Sequence, residues 1–231
     1  MDQRRFDARE RARELAKESL QRGDALGWFE SLYREAAGDT GRIPWADPEG
    51  HPLLLEWIAR QPAPRPGASA LVVGCGLGED SECLAKAGWQ VTAFDVSSTA
   101  IDWCRKLHRE SRVRYEVADL LHPPAHWTGR FDLVFECYTL QALPETLRES
   151  ASASLASFVA PGGSLLVVTR AREPHEDPGS LPWPLVRTEV GQFAGRGLVE
   201  REFEECESGH GLGPARHFRA RFERPATVTA T

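Results

Sequence analysis

A short glycine segment constrains this chain more than any other feature. Ala70-Leu71-Val72-Val73 is an unbroken apolar run, the mark of a strand buried on both faces. It leads straight into Gly74-Cys75-Gly76-Leu77-Gly78, and residues 79–87 then read as a helix ending at Gly88. Strand, glycine turn and helix in that order cradle a nucleotide-like group. The glycines let the backbone turn tightly and approach a ligand without a Cβ clash. The loop amides and the helix N-terminus offer donors to a carboxylate or phosphate. In an open α/β sheet the carboxyl end of such a strand is where ligands bind.

The following sequence repeats the strand–helix alternation. Strands are predicted at 90–94, 113–117, 131–135 and 164–169, and helices at 98–109, 144–159 and 186–196. The last two strands, 199–206 and 215–222, have only the glycine-rich segment from Ser208 to Gly213 between them, so they pair as an antiparallel hairpin. The pattern predicts a doubly wound α/β fold, with a Rossmann-like, seven-stranded, mostly parallel sheet that ends in an antiparallel hairpin. Ahead of it, residues 4–37 read as helical, with Gly23 and Gly27 interrupting the apolar pattern. A turn-rich stretch, a short helix at 52–60 and the extended Pro62, Pro64 and Pro66 follow. The expected organisation is an N-terminal helical lid over 1–67, a ligand-binding domain over 68–224 and a frayed Ala/Thr-rich tail over 225–231.

Composition narrows the partners. The net charge of -6 argues against nucleic acid or an anionic membrane surface. Arg4, Arg5, Arg9, Arg11 and Arg13 form the only basic run; interleaved with Asp7, Glu10 and Glu14, they read as a solvated helix face. No apolar stretch is long enough to span a bilayer, and no apolar signal core follows Met1, so a cytoplasmic chain is expected. The five cysteines are odd in number and lack C-x-x-C spacing, which indicates free thiols, with neither a disulfide framework nor a metal site. The expected partner is a small molecule, and the expected state is monomer or homodimer.

Spacing separates the possible cofactors. A dinucleotide fingerprint, G-x-G-x-x-G, would place its third glycine at position 79, which is Glu79. A carboxylate there repels a pyrophosphate but not a group carrying a sulfonium and an ammonium. Asp95 ends the second strand, placed to accept from ribose hydroxyls. The segment Leu71 to Asp95 resembles the first two motifs of class I S-adenosylmethionine-dependent methyltransferases. The resemblance continues through Val117-Ala118-Asp119-Leu120, Phe131 to Cys137, Leu143-Pro144, Pro161 to Leu166 and the closing hairpin. It implies S-adenosylmethionine as cofactor. The backbone around Gly74, Cys75, Gly76 and Gly78 would face the methionine part and Asp95 the ribose. Val96 and Leu120 would flank the adenine, with Asp119 accepting from its amino group. Glu136 and Cys137 would lie near the methyl.

The N-terminal stretch is similar to the thiopurine, thiol and halide methyltransferase group, through Trp28-Phe29, Gly41 to Trp45, Pro52-Leu53-Leu54 and the later Asp177 to Leu185. That likeness implies a lid, with Trp45 as a cofactor or pocket contact and Trp28, Tyr138 and Trp183 as substrate-pocket candidates. It implies in-line transfer to a thiol, halide or similar soft nucleophile. The segment Glu136-Cys137-Tyr138-Thr139-Leu140 lacks the Asp-Arg pair of thiopurine enzymes. His126, His175, His210 and His217 read as surface residues, and no general base is assigned. A nicotinamide-dependent oxidoreductase, a cofactor-binding regulator without catalysis and an enzyme acting on a macromolecule remain alternatives.

Overall fold

A computed structural model describes residues 3–208 and 215–226. The chain opens with α1 (Gln3–Gln21) and α2 (Gly27–Ala36), two helices where the periodicity suggested one. Gly23 takes a positive φ of 77° at the break, and Asp24 restarts the helix by accepting the Gly27 N–H at 2.8 Å. Next comes α3 (Pro52–Arg60), with Pro52 at its first position and the His51 side chain as its cap. The alternating region then runs β1 (Ser69–Val73), α4 (Glu79–Lys86), β2 (Gln90–Asp95), α5 (Ser98–Leu107), β3 (Arg114–Val117), β4 (Phe131–Cys137), α6 (Glu145–Phe158), β5 (Val159–Arg170), α7 (Arg187–Gly191), β6 (Val199–Ser208) and β7 (Ala215–Glu223).

These strands form one seven-stranded sheet in the order β3-β2-β1-β4-β5-β7-β6. The first five run parallel, and β7 pairs antiparallel with both β5 and β6, as the missing helix between the last two strands requires. The order reverses between β1 and β4, which opens a crevice at their carboxyl ends. Two-residue alternation sorts the side chains. Leu71 and Val73 face a core shared with α6 and Phe193, whereas Ala70 and Val72 face one shared with α3, α4 and α5. Residues 52–60 thus belong to the sheet's own packing, through Leu53, Leu54 and Trp57. A third apolar cluster joins α1 and α2 to Leu77 and Ala100 at the mouth of the crevice.

Two local expectations change. Pro161-Gly162-Gly163 does not precede β5 as a free turn but lies within a longer strand. The Gly162 N–H donates to the Arg224 carbonyl at 2.8 Å, and Arg224 N–H donates to Gly163 at 2.9 Å, so the segment is held by the chain after β7. The helix expected over 186–196 is α helical only to Gly191 and continues as a 3-10 turn to Arg196, which ends at Gly197 with a positive φ of 78°. Of the expected frayed tail, residues 227–231 lie outside the described residues, as does most of the loop before β7 with His210. Among the described residues no helix is long and apolar enough to cross a membrane.

Candidate active site

The crevice between β1 and β4 deepens into a cavity bounded by the glycine loop, the ends of β2, β4 and β5, and the N-terminal helices. The loop needs its glycines. Gly74, Gly76 and Gly78 all have positive φ, at 59°, 58° and 91°. A Cβ on Gly74 would run into the Thr139 side chain, whose hydroxyl donates to the Val73 carbonyl at 3.1 Å. One on Gly78 would collide with the Tyr115 hydroxyl, itself held by Glu82 at 2.7 Å. Gly78 therefore serves the packing of α4 and does not line the cavity, unlike Gly74, Cys75 and Gly76.

Asp95 organises the loop from the next strand. It is 6% exposed and accepts from the Gly76 N–H at 3.1 Å and the Ser97 N–H at 2.9 Å. Burial pushes its carboxyl up to about 6, against the opposing pull of those amides. Glu79, also on the cavity wall, is pushed up to about 7 by burial. Val96, Asp119 and Leu120 continue the same rim. Asp119 has a structural task as well, accepting the Leu121 N–H at 2.8 Å and contacting His122 Nδ1 at 2.8 Å.

Aromatic side chains close the crevice from the N-terminal side. Trp45 lies over the loop, its ring 3.4 Å from where a Cβ of Gly76 would stand, and its indole N–H donates to Tyr33 at 2.8 Å. Trp28 stacks on Phe29 at 3.8 Å and meets Trp45 edge-on at 6.0 Å. Glu30 fastens α2 to the start of α5, accepting from the Ser97 and Thr99 hydroxyls at 2.7 and 2.6 Å.

The opposite end of the cavity carries a hydrogen-bonded chain. Tyr138 follows β4 with a positive φ of 63°, a strained conformation for a non-glycine residue. Its hydroxyl lies 2.8 Å from His51 Nε2 and 2.7 Å from His217 Nε2. The second ring nitrogens set the direction. His51 Nδ1 accepts the Leu53 N–H, so a neutral His51 donates from Nε2 to Tyr138. His217 Nδ1 lies 2.7 Å from the Ala215 carbonyl and carries the proton, which leaves its Nε2 to accept from Tyr138. The chain therefore runs from His51 through Tyr138 to His217, and one lone pair of the Tyr138 oxygen stays open to a further donor.

Several sequence expectations change here. Glu136 does not reach the cavity. It is 0% exposed, its Oε1 accepts the Leu140 N–H at 2.9 Å, and its Oε2 has no hydrogen-bond partner among the described residues. Alternation along β4 turns it away, whereas Cys137 and Tyr138 line the cavity. Trp183 is also absent from the wall; it lies near the Arg148 guanidinium at 5.9 Å, and Leu181 and Pro182 hold the rim. His217, read as a surface residue, is 2% exposed because β7 is an inner strand between β5 and β6. The basic run of α1 is not uniformly solvated: Arg5, Arg9 and Arg13 line the cavity. His51, Tyr33 and Gln141 also line it and carried no local signal, since each sits in an ordinary helix or turn pattern. Among the described residues no cluster suits a metal ion, and none of the cysteines is paired.

Comparison with known proteins agrees with this geometry. Residues 70–163 match the family described as Methyltransferase domain. A ubiquinone biosynthesis O-methyltransferase of Xanthomonas campestris pv. campestris is 34% identical over 140 residues, covering 56% of this chain and 57% of that protein. One from Aromatoleum aromaticum is 37% identical over 123 residues, covering 52% and 51%. The chain thus spans little more than half the length of these curated relatives. The structure of the N-methyltransferase NodS from Bradyrhizobium japonicum WM9, in complex with S-adenosyl-L-homocysteine, is 25% identical with a TM-score of 0.66, covering 85% of this chain and 98% of that one. Magnesium protoporphyrin IX methyltransferase from Synechocystis PCC 6803, at 17% identity and a TM-score of 0.64, shares the fold over 85% of this chain and 95% of its own. Residues 70–163 thus match a methyltransferase-domain family, and the sheet that holds them has the fold of the solved S-adenosylmethionine-dependent methyltransferases named above.

Proposed function

We propose that this protein binds S-adenosylmethionine and transfers its methyl group to a hydroxyl of a small molecule. One observation carries the reading: a single cavity joins the glycine loop, Asp95 and Asp119 to the His51–Tyr138–His217 chain. The loop fits such a cofactor, because Gly74 and Gly76, both at positive φ, present bare backbone to the cavity wall. Asp95 would accept the ribose hydroxyls, and Val96, Asp119 and Leu120 would hold the adenine. Glu79, ionised beside an ammonium, would face the methionine end. When bound, the cofactor supplies an electrophilic methyl group on sulfur.

The protein's own contribution is binding, exclusion of water and removal of one proton. Trp28, Phe29 and Trp45 on the N-terminal segment would act as the lid. An acceptor hydroxyl set against Tyr138 would give its proton to the tyrosine oxygen as Tyr138 passes its own to His217 Nε2. The acceptor oxygen is then the nucleophile, and an oriented, closed cavity provides much of the acceleration. A halide has no proton to lose, and a thiol, with a pKa of about 8.5, needs little help. The relay therefore favours an oxygen acceptor over the soft nucleophile suggested by the lid sequence. The curated relatives named above are O-methyltransferases, in agreement.

Two measurements test this. Calorimetry should show binding of S-adenosylmethionine and S-adenosylhomocysteine, with no heat from a nicotinamide dinucleotide. A methyl-transfer screen with labelled cofactor should then find turnover among phenols and catechols. Turnover confined to thiols and halides would return the acceptor to the soft-nucleophile class.

A further inference from the structure

The basic stripe of α1 is the feature that the proposed reaction leaves unused. Arg5, Arg9 and Arg13 recur every four residues, which places them on one face of the helix. Like charges at that spacing are unfavourable, and this face is turned to the cavity, where Arg170 joins it from the end of β5. Two of the four are engaged. Arg5 pairs with Asp47, while Arg13 donates to the Leu181 carbonyl at 3.0 Å and pairs with Glu10 at 2.5 Å. The guanidinium groups of Arg9 and Arg170 have no hydrogen-bond or ion-pair partner among the described residues. Arg9 is held down to about 10, first by burial and then by Arg5, Arg170 and Arg13. The one carboxylate that opposes this, Asp47, is already paired with Arg5.

Gln141 adds a neutral donor beside them. It is 0% exposed, and its Oε1 accepts the Arg170 N–H and the Thr169 hydroxyl, both at 2.7 Å. An acceptor role for Oε1 fixes the amide orientation and leaves Nε2, which has no partner among the described residues. Position matters as well. Arg170 stands directly across from His217 in the β5–β7 pairing, so the cationic cluster adjoins the proton-accepting end of the cavity.

We propose that Arg9, Arg170 and Gln141 form an anion subsite, and that the methyl acceptor is a hydroxylated acid whose carboxylate or phosphate docks there. The anion relieves the repulsion between guanidinium groups and gains charge-assisted hydrogen bonds in a partly dry cavity. With the acid group fixed at Arg170, a hydroxyl on the same molecule can lie against Tyr138. This inference rests on reading the cavity as the acceptor site, and its test separates the two.

The full chain, saturated with S-adenosylhomocysteine, is titrated calorimetrically with benzoate, phenyl phosphate and benzyl alcohol. At least one acid should bind about tenfold more tightly than the alcohol, and the tighter acid identifies the anion. The Arg9→Gln, Arg170→Gln double variant should lose about tenfold for that acid and none for the alcohol. Arg9→Lys with Arg170→Lys, which keeps the charge, should retain most of the preference. Equal binding of acids and alcohol by the parent chain overturns the subsite, as does a preference that survives in the double Gln variant. If S-adenosylhomocysteine itself gives no heat, the cofactor reading fails on its own, and the same titrations without it still decide the anion preference.

Discussion

Glu136 offers a quantitative test of how this site region is built. Its carboxyl is fully buried at the end of β4, accepts one N–H at Oε1 and has no partner for Oε2 among the described residues. Burial raises it from 4.5 to about 7. That difference corresponds to about 3 kcal/mol between the ionised and neutral forms. The sign follows from linkage. In the unfolded chain the group ionises at its ordinary value, so above pH 7 the native state bears the full cost of a buried charge. As pH falls from 7 toward 4.5 the native state takes up a proton that the unfolded state does not, and stability rises. Glu136→Gln keeps the Oε1 acceptor and is neutral throughout. It should stabilise the protein at pH 8 by about 1–2 kcal/mol, the remainder being offset by the orphaned amide N–H. In a chain of this size that is a rise of roughly 2–8 °C in Tm. Between pH 8 and pH 5 about 2.5 kcal/mol of the ionisation cost disappears as the parent carboxyl takes up its proton, so the gain should reverse to a loss of about 0.5–1.5 kcal/mol at pH 5. Urea unfolding of both proteins at pH 5 and 8 measures the difference. An equal effect at the two pH values, or a loss of more than about 1 kcal/mol at pH 8, would refute the buried-charge argument.

Other perturbations address the cofactor and acceptor ends. Affinity for S-adenosylmethionine should hold steady above neutrality and fall as pH drops through the values of Glu79, about 7, and Asp95, about 6, since both must be ionised to bind it; calorimetry across pH 5–8 follows this. Asp95→Asn should cost about 10- to 100-fold in affinity and remove the lower of the two steps, leaving the step of Glu79. Gly78→Ala should destabilise the chain by roughly 2 kcal/mol or more, through its positive φ and the collision with Tyr115, and Tyr115→Phe should recover little because the ring remains; chemical denaturation reads both. Tyr138→Phe and His217→Asn should each lower kcat about 100-fold on a phenolic acceptor while leaving S-adenosylhomocysteine affinity within about twofold. An acceptor already ionised at the assay pH should be spared most of that loss.

The sequence by itself was enough for the sheet and for the glycine-loop wall of the cavity. Strand and helix order follows from local periodicity, and the antiparallel closure follows from the absence of a helix between β6 and β7. Gly74, Gly76 and Asp95 were legible because each sits at a strand end, where position along the chain already implies position around the crevice, and Asp119 through the resemblance of residues 117–120 to a family motif. Trp45 and Trp28 were singled out by the likeness of the N-terminal stretch to the thiopurine, thiol and halide methyltransferase group, and both line the cavity. The opposite end of the cavity depends on contacts that no local pattern records. His51, Tyr138 and His217 are 87 and 166 residues apart along the chain when counted from His51, yet their side chains form one hydrogen-bonded line. The charge pattern of α1 is equally compatible with solvent and with a cavity wall, because a helix's periodicity says which residues share a face but not what that face meets. Only the packing of α1 and α2 against Leu77 and Ala100 turns Arg9 inward, toward Arg170. Local propensity and spacing thus determine the scaffold and the loop, whereas the convergence of distant side chains at the other end of the cavity is decided by tertiary packing.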